Sequence, residues 1–230
     1  MTLYFSMKIV LHPDRGIVFD LDDTLYKERD FLESGFSAIV EHLPSDLQVE
    51  ALQKMVSWWE NGGNVFQKAM DIFPFQLTIP EMLEIYRTHP PEISLDPSVS
   101  LLLKEIKRNG IPVGLLTDGR SITQRNKVAA LGLADFFDAI VVSEEVGSEK
   151  PTMKNFEVVA KRLNVMQSIY IGDNTSKDFL SPNELGWTTV CLIDDGSNIH
   201  EQSFDKPSSF LPDLCLDHLK LDSFLIHSDQ

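Results

Sequence analysis

Gly16-Ile17-Val18-Phe19-Asp20-Leu21-Asp22-Asp23-Thr24-Leu25 is the stretch from which the rest of the chain is read. Ile17-Val18-Phe19 is an apolar run bounded by Gly16, which predicts a buried strand, and the acids begin where that strand must end. In an open parallel sheet, ligands bind at the carboxyl ends of strands, so Asp20 and Asp22 stand where chemistry is done. Residues two apart on extended chain face the same side, and carboxylates so placed converge on one ligand. Close carboxylates repel, and a divalent cation relieves the repulsion. With only oxygen donors on offer, that cation is expected to be magnesium.

The chain downstream of this stretch changes character twice. Phe31, Phe36, Ile39, Val40 and Leu43 recur at helical spacing, and Asp30 with Glu33 predicts a capping-box start for that helix. Ser45 or Asp46 opens a second helix that stops at Asn61-Gly62-Gly63, and a third is expected over residues 64–73. Thr78-Ile79-Pro80-Glu81 is a capping box with its proline in the first turn, and it begins a fourth. No strand is expected between residues 30 and 90, and His89-Pro90-Pro91-Glu92-Ile93 reads as a linker.

From Asp96-Pro97 onward helices and strands alternate. Strands are expected at Val113-Gly114-Leu115-Leu116, Ala139-Ile140-Val141-Val142, Ile169-Tyr170-Ile171 and Thr188-Thr189-Val190-Cys191-Leu192, with a capping box at Ser181-Pro182-Asn183-Glu184. Alternation of this kind implies right-handed crossovers and a parallel sheet covered on both faces. The fold expected is therefore α/β, with an all-helical block inserted directly after the first strand of the sheet and well placed to act as a lid. Lys8-Ile9-Val10-Leu11 is either an edge strand or a disordered lead. Leu214-Cys215-Leu216, with Leu219 and Leu221, is expected to pack on the core.

Composition sets limits on partners. The chain of 230 residues carries 35 acidic and 20 basic side chains, a net charge of −15, and no Lys/Arg cluster, which argues against a nucleic-acid backbone as partner. An anionic substrate would have to be held by a metal and local donors. No apolar run approaches the roughly 20 residues of a membrane span, and Met1–Lys8 lacks the features of a secretion leader, so no membrane partner and a cytoplasmic location are expected. Cys191 and Cys215 are isolated and read as small core hydrophobes, and the scattered histidines offer no zinc spacing.

Three later segments carry chemistry of their own. In Thr117-Asp118-Gly119, a hydroxyl at a strand tip followed by glycine can offer Oγ and backbone N–H groups to a phosphoryl oxygen. Lys150 is a cation among Glu144, Glu145 and Glu149, after a strand end and before Pro151. Gly172 permits a sharp turn from which Asp173 can reach a metal held by Asp20. The acidic alternation of a calcium loop is absent.

Asp20-Leu21-Asp22-Asp23-Thr24-Leu25, Thr117-Asp118-Gly119, Lys150-Pro151 and Gly172-Asp173 with Asp178, in that order over residues 16–192, resemble the four motifs of the haloacid dehalogenase-like (HAD) phosphohydrolases. The resemblance implies a Rossmann-like catalytic core over residues 1–25 and 94–230 and a helical cap over residues 26–93 that closes on substrate and sets specificity. It implies a Mg2+-dependent phosphatase that hydrolyses a small phosphorylated metabolite through an aspartyl-phosphate. Asp20 would be the nucleophile and Asp22 the general acid and base, with Lys150 neutralising the nucleophile and the transferring group. Thr117 would orient the phosphoryl group, bound also at Asp118, Gly119 and Lys150, with the Asp118 side chain pointing away. Asp20, the Asp22 backbone carbonyl and Asp173 would hold the metal, and Asp178 would support the site or act as a weaker ligand. Asp23 is left as a loop or helix-cap residue.

The acid at Asp22 separates this motif from dehalogenases, whose halide needs no proton on leaving. A phosphomutase or other phosphotransferase of the same fold remains the alternative. A signalling receiver uses the same residue types, but its acidic pair precedes a phosphoacceptor on a later strand, and it has no helical insertion. A silent phosphate-binding relative would need no complete motif set. Lys27, Arg29 and Arg120 are further candidates to meet substrate, against a default of surface exposure, and both monomer and homodimer are compatible with the sequence.

Overall fold

The computed structural model describes residues 8–227, so the reading of the first residues as lacking a leader lies outside the described part. β2 (Gly16–Phe19) is buried along its whole length and lies inside a parallel sheet. The order is β4 (Ala139–Val142), β3 (Val113–Thr117), β2, β5 (Ser168–Gly172), β6 (Thr188–Leu192) and β7 (Leu214–Leu216). Every pairing among these six strands is parallel.

Side chains alternate across the sheet with period two, and the two faces bury separate clusters. Ile17 and Phe19 join Leu102, Leu103 and Val128 on one face, from α5 (Pro97–Arg108) and α6 (Ser121–Ala130). Val18 joins Phe156, Val159 and Leu163 of α8 (Met153–Leu163) on the other. The apolar runs that read as strands are thus strands covered on both sides.

Between β2 and α5 come α1 (Glu28–Val40), α2 (Ser45–Glu60), α3 (Val65–Ile72) and α4 (Ile79–Thr88). Their apolar stripes bury a third cluster, with Phe36, Ile39, Ala51, Met55, Ala69 and Met82 at its centre. The expected capping box of α4 is present: Thr78 Oγ1 accepts from the Glu81 N–H and Glu81 Oε2 accepts from the Thr78 N–H. The helical block is built as the periodicity indicated.

Two local expectations are corrected. Asp30 and Glu33 form no capping box, because α1 starts at Glu28 and its first N–H donates to Asp23 Oδ1 at 3.0 Å. Asp23 sits at φ 53°, a left-handed position that Asp tolerates, and this turns its carboxylate forward onto the helix start. Ser181 is no cap either. It lies inside the short α9 (Leu180–Glu184), and its hydroxyl donates to the Pro151 carbonyl, tying α9 to the segment that carries Lys150.

The tail does more than pack. β7 adds an edge strand beside β6, with Cys191 opposite Cys215, and both thiols are buried and free. β8 (Phe224–Ile226) pairs in parallel with β1 (Ile9–Leu11), which makes residues 9–11 a strand. A further short helix, α7 (Ser143–Val146), follows β4 directly. Among the described residues no helix is long and apolar enough to cross a membrane.

Candidate active site

The carboxyl ends of the central strands converge on one cleft. Asp20 follows β2, Thr117 ends β3, Asp173 follows β5, and Lys150 arrives from the segment after β4 and α7. All four side chains are buried. Lys150 Nζ lies 2.8 Å from Asp20 Oδ1 and 2.7 Å from Asp178 Oδ1, and it donates to Tyr170 Oη at 3.0 Å. The counter-charge read for Asp20 is in contact with it.

Asp178 is fully buried, and its second oxygen accepts the Asn174 N–H at 2.8 Å. Carboxylate oxygens of Asp20, Asp173 and Asp178 all lie within 4.8 Å of one another. Burial first, then the neighbouring acids Asp178 and Asp20, push the Asp173 carboxyl up to about 9. Burial likewise lifts Asp20 to about 7, although Lys150 pulls in the opposite direction. Burial would lower the Lys150 ammonium, but Asp178 and Asp20 hold it well above its ordinary value. The cluster is short of positive charge, and its donors are hard oxygens. That combination fits a magnesium ion held by Asp20 and Asp173, with Asp178 binding Lys150 beside it.

Thr117 Oγ1 is buried and has no hydrogen-bond partner among the described residues, a rare condition for a hydroxyl and one that an incoming phosphoryl oxygen would relieve. Asp118 is drawn into the loop: its carboxylate accepts the Lys150 N–H at 3.1 Å and Lys177 Nζ at 3.1 Å. The Gly119 N–H donates to Ser143 Oγ at 2.9 Å. Gly119 holds φ 132°, and a Cβ there would come within 2.7 Å of Gln124 Nε2, so only glycine lets Gln124 pass.

The Asp22 carboxylate stands outside the oxygen cluster, in a network of its own. Oδ1 accepts Lys127 Nζ at 2.6 Å and Tyr26 Oη at 2.5 Å, and Oδ2 accepts Gln124 Nε2 at 3.1 Å. Burial alone would raise this carboxyl, but the Lys127 charge with the three hydrogen bonds holds it below the usual carboxylate range. Asn198, from the loop after β6, donates to Asp173 Oδ2 at 3.0 Å.

Tyr26, Gln124, Lys127, Tyr170 and Asn198 escaped the sequence reading. A signal existed for two of them. Gln124 and Lys127 are three apart on the helix that begins directly after Thr117-Asp118-Gly119, so one face of its first turns must overhang the strand ends. Of the three basic candidates, Lys27 pairs with Asp195 and Asn198, and Arg29 pairs with Glu33 and Glu60. Arg120 lines the cleft.

The cleft encloses about 270 Å³, and Glu28, Phe31 and Tyr86 of the helical block line it together with the strand-end residues. A roomier cavity of about 460 Å³ lies beside residues 94–99, but Asp20, Thr117, Lys150 and Asp173 are not on its walls. Chemistry, not volume, singles out the cleft.

A family model described as haloacid dehalogenase-like hydrolase matches residues 17–192. The glyceraldehyde 3-phosphate phosphatase of Methanocaldococcus jannaschii is 31% identical over 195 residues, 78% of this chain and 85% of that protein. The ribulose-1,5-bisphosphate 5-phosphatase of Halopiger xanaduensis is 24% identical over 217 residues, 84% of this chain and 91% of that one. Among solved structures, a HAD phosphatase from Thermococcus onnurineus superposes with a TM-score of 0.60 at 23% identity, covering 89% of this chain and 94% of its own.

Proposed function

Because the chain belongs to the haloacid dehalogenase-like hydrolases, and its curated relatives are named as phosphatases, we propose that it is a magnesium-dependent phosphatase of a small phosphorylated carbohydrate. The observation that carries this reading is the convergence of Asp20, Thr117 and Asp173 at the ends of neighbouring parallel strands, with Lys150 brought onto Asp20 from the segment after α7. The relatives named for a triose and a pentose phosphate support a substrate of that size, and so does a cleft of about 270 Å³.

In this reading Asp20 attacks phosphorus in line, forming the aspartyl-phosphate as the bond to the ester oxygen breaks. Lys150 neutralises charge on Asp20 and on the transferring oxygens, and Thr117 Oγ1 donates to one of them. Magnesium, held by Asp20, Asp173 and the Asp22 backbone carbonyl, would supply further positive charge to the transferring group. Asp22, which its Lys127 contact keeps ionised at rest, takes up the proton carried by the phosphate monoanion, gives it to the departing alkoxide, then takes one from the water that attacks the aspartyl-phosphate, releasing inorganic phosphate and regenerating Asp20. Residues 26–93 form the cap in this scheme. Glu28, Phe31 and Tyr86 are the cap side chains that reach the substrate, and closing them over the cleft excludes water.

The test is phosphate release from p-nitrophenyl phosphate and from a panel of sugar phosphates, nucleotides and small phosphorylated acids, with magnesium and with a chelator. Release is expected to be best on a small sugar phosphate, to vanish with the chelator and to return with added magnesium. Activity indifferent to the chelator would contradict the metal assignment, and no release from any ester would contradict the phosphatase assignment.

A further inference from the structure

Lys127 is a buried charge that takes no step of its own in the mechanism above. It comes from α6, is 1% exposed, and ranks with the large fully buried side chains of the chain. An ammonium so buried is costly unless paired, and a buried ion pair is weak evidence for a stabilising role, since apolar side chains of similar volume commonly do as well. Its surroundings point to a different use. Nζ lies 2.6 Å from Asp22 Oδ1 and 3.6 Å from Glu28 Oε1, and it sits over the Phe31 ring at 4.2 Å and the Tyr26 ring at 5.8 Å.

We propose that Lys127 is a positioning residue for Asp22: with Tyr26 it occupies Oδ1, fixes the carboxylate plane, and leaves Oδ2 as the oxygen presented to the leaving group. Each carboxyl oxygen offers about two acceptor sites, and the proton that Asp22 gives away must occupy one of them. Among the described residues Oδ1 already takes two hydrogen bonds, from Lys127 and Tyr26, whereas Oδ2 takes one, from the Gln124 amide, and keeps a site for the proton. Gln124 is itself braced, because the same Nε2 donates to the Asp118 carbonyl at 2.9 Å. Three donors thus hold a group that would otherwise rotate about its terminal torsion, where barriers are low.

The arrangement makes Asp22 depend on the cap. Glu28 and Phe31 belong to α1 and pack on Lys127. The same helix α6 is fastened to α4, since Thr123 Oγ1 donates to the Arg87 carbonyl at 3.0 Å and Asn126 Nδ2 to the Thr88 carbonyl at 3.0 Å. Cap helices and acid are therefore clamped by one side chain, so that the acid is aligned when the cap is seated.

This inference rests on the phosphatase reading, and its test separates the two. Phenyl phosphate and p-nitrophenyl phosphate carry the same ring on the same ester oxygen, but the phenolate leaving group needs a proton far more than nitrophenolate does. Lys127→Met is expected to lose at least about tenfold more kcat on phenyl phosphate than on p-nitrophenyl phosphate, within the 10²–10⁴-fold worth of general acid–base help. Lys127→Arg should restore part of that selective loss. Tyr26→Phe, which keeps the ring and removes one donor, should show the same selectivity to a smaller degree even if Lys127→Met does not fold. In an Asp22→Asn background, Lys127→Met should add no further selectivity, because Lys127 acts through Asp22. Equal loss on both esters in Lys127→Met or Tyr26→Phe, while Asp22→Asn alone is selective, would overturn the positioning role and leave the phosphatase reading standing. A wild-type enzyme inactive on both esters would overturn the reading, and the inference with it.

Discussion

Gly172 closes β5 without a side chain, and the space that a Cβ would take belongs to Asp178. An alanine there would meet Asp178 Oδ2 at 2.5 Å and its Cγ at 2.9 Å. Asp178 cannot give way cheaply, since it is fully buried and bound to Lys150 and to the Asn174 N–H. Gly172→Ala is therefore expected to cost about 1–3 kcal/mol, as overpacking does, and to lower turnover by displacing Lys150 from Asp20. Denaturant unfolding and initial rates check both, and wild-type values for the pair would show that Asp178 has room to move. At this scale the chain was legible wherever chemistry follows an apolar strand, as at Asp20, Thr117, Lys150 and Asp173. For Lys127 helical spacing could place the side chain near the strand ends but not pair it: a lysine on a helix reads as a solvated charge, and its partner Asp22 lies 105 positions away.

The helices of the cap meet at a glycine. Gly35 on α1 faces the Tyr86 ring of α4, and a Cβ would come within 2.5 Å of Cδ2 and 2.7 Å of Cε2. Alanine in place of glycine gains about 1 kcal/mol of helix propensity, and overpacking costs about 1–3 kcal/mol, so the clash is expected to win. Tyr86 lines the cleft and packs edge-on against Phe31. Gly35→Ala should accordingly unfold at lower denaturant and raise KM with kcat less affected. A variant as stable as wild type with an unchanged KM would mean that Tyr86 is no wall of the substrate site. Elements were legible where their signals are local, as in the Thr78–Glu81 box. The start of α1 was not, because its cap is Asp23, five positions upstream and across a turn at positive φ. The three-residue strands β7 and β8 also escaped. Short strands lack a period, and β8 finds its partner β1 at the opposite end of the chain.

The whole molecule joins a rigid parallel core, which carries every group that would touch phosphorus, to a four-helix block with a core of its own. This division was readable as a run of helical spacing between residues 30 and 90, set into a chain that elsewhere alternates short apolar strands with helices. What the sequence left out is how the parts lean on each other, since the contacts from α6 to α4 and from Lys127 to α1 join distant segments without a motif. In the proposed reading, bond making and breaking belong to the core and substrate choice to the cap. Its central claim is that a phosphoryl group passes through Asp20. The most direct measurement is a rapid-quench single turnover of p-nitrophenyl phosphate by Asp22→Asn with magnesium, followed by peptide mapping of the acid-quenched protein. Nitrophenolate leaves without a proton while the attacking water lacks its base, so a phosphoryl adduct is expected on the peptide containing Asp20. Release of nitrophenolate and phosphate in step with no adduct, or an adduct on another residue, would contradict Asp20 as the nucleophile.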